Sequence, residues 1–161
     1  MSRLKELTSY KNTILQRLVS DQEVCKAVFY QHSNFLEQPD IDDYDDILYS
    51  NIYPYDFLPT TAEELATKKT YITMSVTDYR PASGSRFRAG NIFIKVFTHK
   101  DLYQTDYGYL RVDYLISAID ELFSSERGIG IGKLGFMGMK EFQINGDYLG
   151  TYLHYRPVDF N

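Results

Sequence analysis

The amino-acid sequence predicts an α+β fold in which an antiparallel β-sheet, built from two hairpins, carries helices packed on one face. Three observations carry that reading. Apolar and polar residues alternate strictly over 71–77, and over 91–99 Ile92, Ile94 and Val96 recur at every second position, the patterns of strands with one face in a core. Apolar residues recur at offsets of three and four over 3–19 and 109–123, the pattern of amphipathic helices. Near the C-terminus, Asn145-Gly146 separates two further β-prone stretches, as a hairpin turn does.

Taken in order, Leu4, Leu7, Ile14, Leu15 and Leu18 share one helical stripe while Lys5, Lys11, Asn12 and Arg17 lie elsewhere, so 3–19 is a helix with one buried side. Ser20-Asp21-Gln22-Glu23 spells a capping box, in which Ser20 and Glu23 each satisfy the other's free backbone N–H. A short second helix over 21–29 follows, burying Val24, Val28 and Cys25, with the cysteine acting as a small hydrophobe and not as a reactive thiol. Residues 31–69 show no period and predict a long loop before the first strand. That loop holds an acidic run, Asp40, Asp42, Asp43, Asp45 and Asp46, and then Ile52-Tyr53-Pro54-Tyr55. A loop of such length in a compact domain is functional or is ordered by a partner.

The first strand places Ile72, Met74 and Val76 inward and Thr73, Ser75 and Thr77 outward. A turn-rich segment, Arg80-Pro81-Ala82-Ser83-Gly84-Ser85-Arg86-Phe87-Arg88, leads to a second strand with Ile92, Ile94 and Val96 inward. Its reverse face carries Phe93 and Phe97 beside Lys95, so a helix or another subunit must cover that side. Val112, Leu115, Ile116, Ile119, Leu122 and Phe123 make the helix over 109–123. After a glycine-rich stretch, strands over 140–144 and 148–155 flank a type I′ turn, and Pro157 ends the last strand. The order is α-α-β-β-α-β-β in a single domain over 1–161, a length that one core accommodates.

Fifteen Tyr and 10 Phe put aromatic side chains on surfaces as well as inside, and interfaces are rich in tyrosine. A net charge of -5 lacks the positive field of a non-specific nucleic-acid binder. No apolar run approaches the ~20 residues that span a bilayer, and the opening segment has no signal-type apolar run. One cysteine forms no internal disulfide and no multi-cysteine zinc site, so synthesis and function in a reducing cytoplasm are expected.

Catalytic patterns are weak. Gly130-Ile131-Gly132-Lys133-Leu134-Gly135 matches the phosphate-cradling G-x-G-x-x-G, but a helix precedes it and a strand follows, the reverse of the arrangement that binds phosphate. The aspartates at 40–46 lack calcium-loop spacing; as a magnesium site they are the basis of an alternative reading, a metal-dependent nuclease. His32, His99 and His154 lie far apart in the chain. No catalytic residue, metal site or cofactor is expected. Arg80, Arg86 and Arg88 instead concentrate positive charge opposite in sign to the aspartate run, and the two sets are expected to fix register between neighbouring copies, with Tyr71, Phe93 and Phe97 packing there.

The element order, the segment from Ile52-Tyr53-Pro54-Tyr55 to Pro59 leading into Tyr71-Ile72-Thr73-Met74, and the closing Tyr148-Leu149-Gly150-Thr151-Tyr152-Leu153 with Asp159-Phe160-Asn161 resemble the neck and tail-completion proteins of tailed bacteriophages, the tail terminators above all. The resemblance implies a structural virion protein, made in the host cytoplasm, that forms a ring, commonly hexameric. Such a ring caps the tail-tube protein and joins it to the head-side connector, while DNA only passes through the channel. A head-completion or connector adaptor of the same neck is the neighbouring reading.

Overall fold

A computed structural model describes residues 4–81, 88–124 and 133–158. Helix α1 (Leu4–Val19) forms where the stripe predicts it and buries Tyr10, Ile14, Leu15, Leu18 and Val19. The cap that follows differs from the expected box. Ser20 turns its hydroxyl back to the Gln16 carbonyl, closing α1, and is spent there. Asp21 caps α2 (Gln22–Phe29) in its place, its carboxylate accepting the Val24 N–H at 3.1 Å. Helix α2 buries Val24, Cys25, Ala27 and Val28. Burial, reinforced by the charge of Asp21, pushes the Cys25 thiol up to about 11, so it stays protonated and chemically quiet.

The long loop is a chain of short elements. Two single 3-10 turns, Phe35–Glu37 and Tyr44–Asp46, precede β1 (Ile52–Tyr53) and the helix α3 (Ala62–Ala66). Each is too short to complete a sequence period, which is why none was visible. Strand β1 pairs in parallel with β2 (Thr70–Pro81), Ile52 opposite Ile72, so the sheet is mixed and not wholly antiparallel.

The remaining strands are β3 (Arg88–His99), β4 (Lys133–Gln143) and β5 (Tyr148–Val158), and the long helix between the hairpins is α4 (Arg111–Ser124). Both predicted hairpins exist, and the α+β class holds. The sheet order is β1-β2-β3-β5-β4, so the second hairpin joins the first through β5 and leaves β4 at the rim. The inward sides of β2, β3 and β5 meet α1, α2 and α4 in one core of Ile72, Met74, Ile92, Ile94, Val96, Leu153 and Tyr155 against Leu18, Val24, Leu115, Ile119 and Phe123. The last hairpin closes without a type I′ turn, because Gly146 lacks the required positive φ. Asn145 supplies the closure instead, its side-chain oxygen accepting the N–H groups of Asp147 at 2.8 Å and Tyr148 at 2.9 Å. Of the glycine motif, Gly130, Ile131 and Gly132 lie outside the described residues, while Lys133, Leu134 and Gly135 open β4.

Two residues that bind these layers were not flagged by the sequence. Arg111 opens α4 wholly buried and donates only to main-chain carbonyls: Nε to Leu102 at 2.9 Å, Nη1 to Ala27 at 2.7 Å and Tyr30 at 3.0 Å, and Nη2 to His32 at 2.8 Å. Its guanidinium also lies 4.7 Å from the centre of the Phe35 ring.

Gly150 faces Phe97 across the β3–β5 ladder, where a Cβ would meet the Val96 carbonyl oxygen and the Phe97 Cα at 2.6 Å. Those are backbone atoms of a central strand and cannot rotate away. Gly150→Ala is therefore expected to cost about 3 kcal/mol, the upper range for overpacking. Urea unfolding measures it; a loss below about 1 kcal/mol would show that β3 and β5 can part without penalty.

Candidate functional site

The reverse face of the sheet, away from the long helices, is divided in two. Over one half, residues 53–66 fold back as a strap. Tyr53 and Phe57 stack at 4.1 Å and, with Leu65, cover Tyr71, Phe97 and Tyr148, while Phe142 and Ile144 pack alongside. Lys95 Nζ holds the strap through Asp56 at 2.9 Å, and the Tyr148 hydroxyl donates to the Thr67 carbonyl beyond α3. Thr61 and Glu64 start α3 between them, Thr61 accepting the Glu64 N–H at 3.0 Å and Glu64 accepting the Thr60 N–H at 2.9 Å.

This arrangement corrects part of the expected interface. Tyr71 is 3% exposed and Phe97 0%, so the cover that their face required comes from the same chain. The two-residue period put Phe93 and Phe97 on this face and so marked it as partly apolar, but it could not show what lies on it. Phe93 belongs to the other half, which the strap leaves partly open. Its ring stacks on His154 at 4.6 Å and meets the edge of Tyr152 at 5.8 Å. His154 Nε2 lies 2.7 Å from the Asn91 side-chain oxygen, to which Arg156 Nε donates at 3.0 Å. Burial first, and then the Arg156 charge, lower the pKa of His154, favouring a neutral ring.

The aspartate run lies beside the β1 edge. Asp40 pairs with Lys26 at 2.9 Å, and Asp43 caps its own turn by accepting the Asp45 N–H at 2.9 Å. Asp42, Asp45 and Asp46 face solvent, and the turn is bonded onward to β1 through Ile47, whose carbonyl accepts from Asn51 at 2.8 Å and Ile52 at 3.1 Å. Beside it stand three exposed rings, Tyr44, Tyr49 and Tyr55. Arg80 and Arg88 sit in β2 and β3 near the end of their hairpin, and Arg86 lies outside the described residues. The histidines remain separate: His32 is on the surface, His99 accepts the Asp101 N–H at 3.1 Å, and His154 is stacked as above.

At the opposite rim, no described strand pairs with the outer side of β4. Phe136, Met137 and Met139 project from it, each 51% exposed. A bulge between Phe136 and Gly138, with Gly138 at φ 156, breaks the alternation of this strand and explains why the sequence pattern missed its apolar rim. Between this strand and the start of α4 runs an open groove of about 450 Å³, lined in part by Tyr103, Asp113 and Glu141. Burial, and then the two carboxylates, push the Tyr103 phenol up to about 12. Among the described residues, no three His, Cys, Asp or Glu side chains gather where they could hold a metal ion. No described helix is long and apolar enough to cross a membrane.

Fold and surface together define an α+β domain with a strapped aromatic sheet face and two dissimilar rims. A family model described as YomW matches residues 21–157, from the cap of α2 into β5, and the chain belongs to the YomW family. The family's name is of the Bacillus prophage type, which makes the protein phage-associated. No curated protein and no solved structure matches the chain significantly.

Proposed function

We propose that this chain is a tail terminator, a structural virion protein that closes into a homo-oligomeric ring on the tail tube and joins tail to head. The observation that carries the reading is the β4 rim: a strand of 11 residues whose outer side pairs with no strand among the described residues, and which bears three half-exposed apolar side chains. Soluble monomers normally blunt such edges with charge, proline or a covering element. On β4 a bulge and the charges of Lys140 and Glu141 blunt the ladder only in part, and a partner accounts for Phe136, Met137 and Met139 remaining half-exposed. Family membership supports a phage setting, and the net charge of -5 suits a channel that must not grip passing DNA. Assembly, in this reading, needs no catalytic site; docking of preformed surfaces drives it.

Native mass spectrometry and electron microscopy of the purified chain, alone and with tail-tube or connector protein, test the proposal. A closed ring that forms with the tube protein is expected. A ring that forms only with the connector would make the chain a head-completion adaptor. A chain that stays monomeric with both, or that cuts DNA with magnesium and loses turnover on Asp42→Asn with Asp45→Asn, would overturn the structural reading.

A further inference from the structure

The groove between the start of α4 and the turn end of the β4–β5 hairpin is framed by regular elements. Glu141 on β4 stands opposite Thr151 on β5, and Thr151 stands opposite the core residue Val96 on β3, so both side chains project on the helix side of the sheet. Tyr103 is fixed against the helix start by its carbonyl, which accepts the Arg111 N–H at 2.8 Å. Asp113 lies in the first turn of α4. These four side chains line one groove of about 450 Å³, within the range of small-ligand sites, and Leu110 and Val112 give it apolar wall.

The polar groups of the groove are unspent. Thr151 is 3% exposed and its hydroxyl bonds to no described group, yet its oxygen is not sealed in as that of Thr73 is, so its open side is the groove. Buried hydroxyls are normally bonded to something. Asp113 and Glu141 are exposed and pair with no described cation, and no described lysine or arginine lines the groove. An anion would meet two carboxylates there. A divalent cation would find too few oxygens, since among the described residues no three His, Cys, Asp or Glu side chains gather to hold one. A neutral apolar ligand would leave the Thr151 hydroxyl unpaired. A cationic nitrogen on an alkyl stem meets every requirement: its N–H groups suit carboxylate and hydroxyl oxygens, and its stem suits Leu110 and Val112.

We infer that this groove is a binding site for an alkylguanidinium or alkylammonium group, with Asp113 and Glu141 pairing its charge and the Thr151 hydroxyl accepting one of its N–H groups. Such a group is carried by small amines and guanidines and by the arginine and lysine side chains of a partner chain. The site does not depend on ring closure, so it stands or falls apart from the tail-terminator reading.

Titration of the full chain with n-butylguanidinium, followed by amide NMR shifts, tests it. Saturation in the millimolar range that moves the Asp113, Glu141 and Thr151 signals is expected, with the neutral isostere n-butylurea binding at least about tenfold more weakly. Asp113→Asn with Glu141→Gln is expected to weaken binding at least about tenfold. Glu63→Gln with Glu121→Gln, which removes the same charge from exposed positions elsewhere, leaves it unchanged. Thr151→Val is expected to weaken binding about fivefold while leaving the thermal midpoint equal or higher, because the hydroxyl that it removes has no partner in the free chain. Acetyl-arginine-amide separates the two sources: its saturation assigns the groove to a side chain of a partner, and saturation by n-butylguanidinium alone assigns it to a small cation. The assignment fails if neither compound saturates, if n-butylurea binds equally well, or if either groove variant, folded by its spectrum, binds like wild type.

Discussion

Arg111→Met is expected to lower the stability of the fold by about 4 kcal/mol, which for a chain of this size is a fall of roughly 10 °C in Tm. The side chain is wholly buried and donates four hydrogen bonds, all to main-chain carbonyls. Three of those carbonyls, Ala27, Tyr30 and His32, belong to the last turn of α2 and the residues after it, where a helix leaves its acceptors unpaired and its dipole is negative. Replacing a buried ion pair with apolar residues is often harmless because both partners disappear. Here the acceptors are backbone and remain, each costing about 1–3 kcal/mol when buried without a donor.

Relief of the buried charge offsets part of that loss. Desolvation lowers the guanidinium to about 10, with Tyr107 opposing it, so Arg111 remains a cation at neutral pH and its burial is a standing cost. The orphaned carbonyls outweigh that relief because there are four of them. Arg111→Lys should fall between wild type and methionine, since one ammonium has three donors and no planar fork to span Leu102, Ala27 and His32 together. Urea denaturation with an unchanged m-value measures both variants. A methionine variant within about 1 kcal/mol of wild type would mean that water reaches these carbonyls and that the clamp is incidental.

Arg111 also marks what the sequence could not disclose. The helix that it opens was legible from Val112, Leu115, Ile119 and Phe123 at offsets of three and four. An arginine at its start reads as solvent-facing, because main-chain carbonyls leave no signature in the sequence of the segments that supply them. The inward faces of β2 and β3 were legible for the opposite reason: Ile72, Met74, Ile92, Ile94 and Val96 are placed by alternation alone. The same alternation put Tyr71, Phe93 and Phe97 on the reverse face and could not separate them. What separates them is the strap over 53–66, built from a stacked Tyr53–Phe57 pair and a five-residue helix, pieces too short for any period. At the rims, the aspartate run was legible as composition. The apolar set on β4 was hidden by a one-residue bulge that shifts every later side chain out of phase.

Stability is expected to collapse above about pH 10, by about 1.4 kcal/mol per pH unit for each deeply buried phenol. Tyr155 is 0% exposed and Tyr71 3% exposed, and both have their ionisation pushed well above the ordinary range. For Tyr155, burial comes first, then the hydrogen bond that its hydroxyl donates to Asp120 at 2.8 Å. For Tyr71, burial again leads, followed by its neighbours Tyr148 and Tyr53. A phenol whose folded pKa exceeds its unfolded value adds stability that is complete below the unfolded value and is lost as pH rises toward the folded one. In that window the unfolded chain has released protons that the native chain retains, and unfolding gains what ionisation yields. Tyr103, raised to about 12, acts in the same direction. Arg111 opposes them, because its folded value is depressed and the unfolded chain holds the extra proton between about 10 and its ordinary value. Two deeply buried phenols already outweigh one guanidinium, so the net slope is downward. Urea midpoints across the alkaline range, followed together with phenolate absorbance, should show the buried tyrosines ionising only as the chain unfolds. Tyr155→Phe tests the origin of the slope: it removes one ionisation, takes from Asp120 the donor that β5 supplies, and should make the alkaline decline shallower even where its stability at neutral pH is lower. A wild-type midpoint that holds constant through that range would mean that solvent reaches Tyr71 beneath the strap and Tyr155 beneath α4.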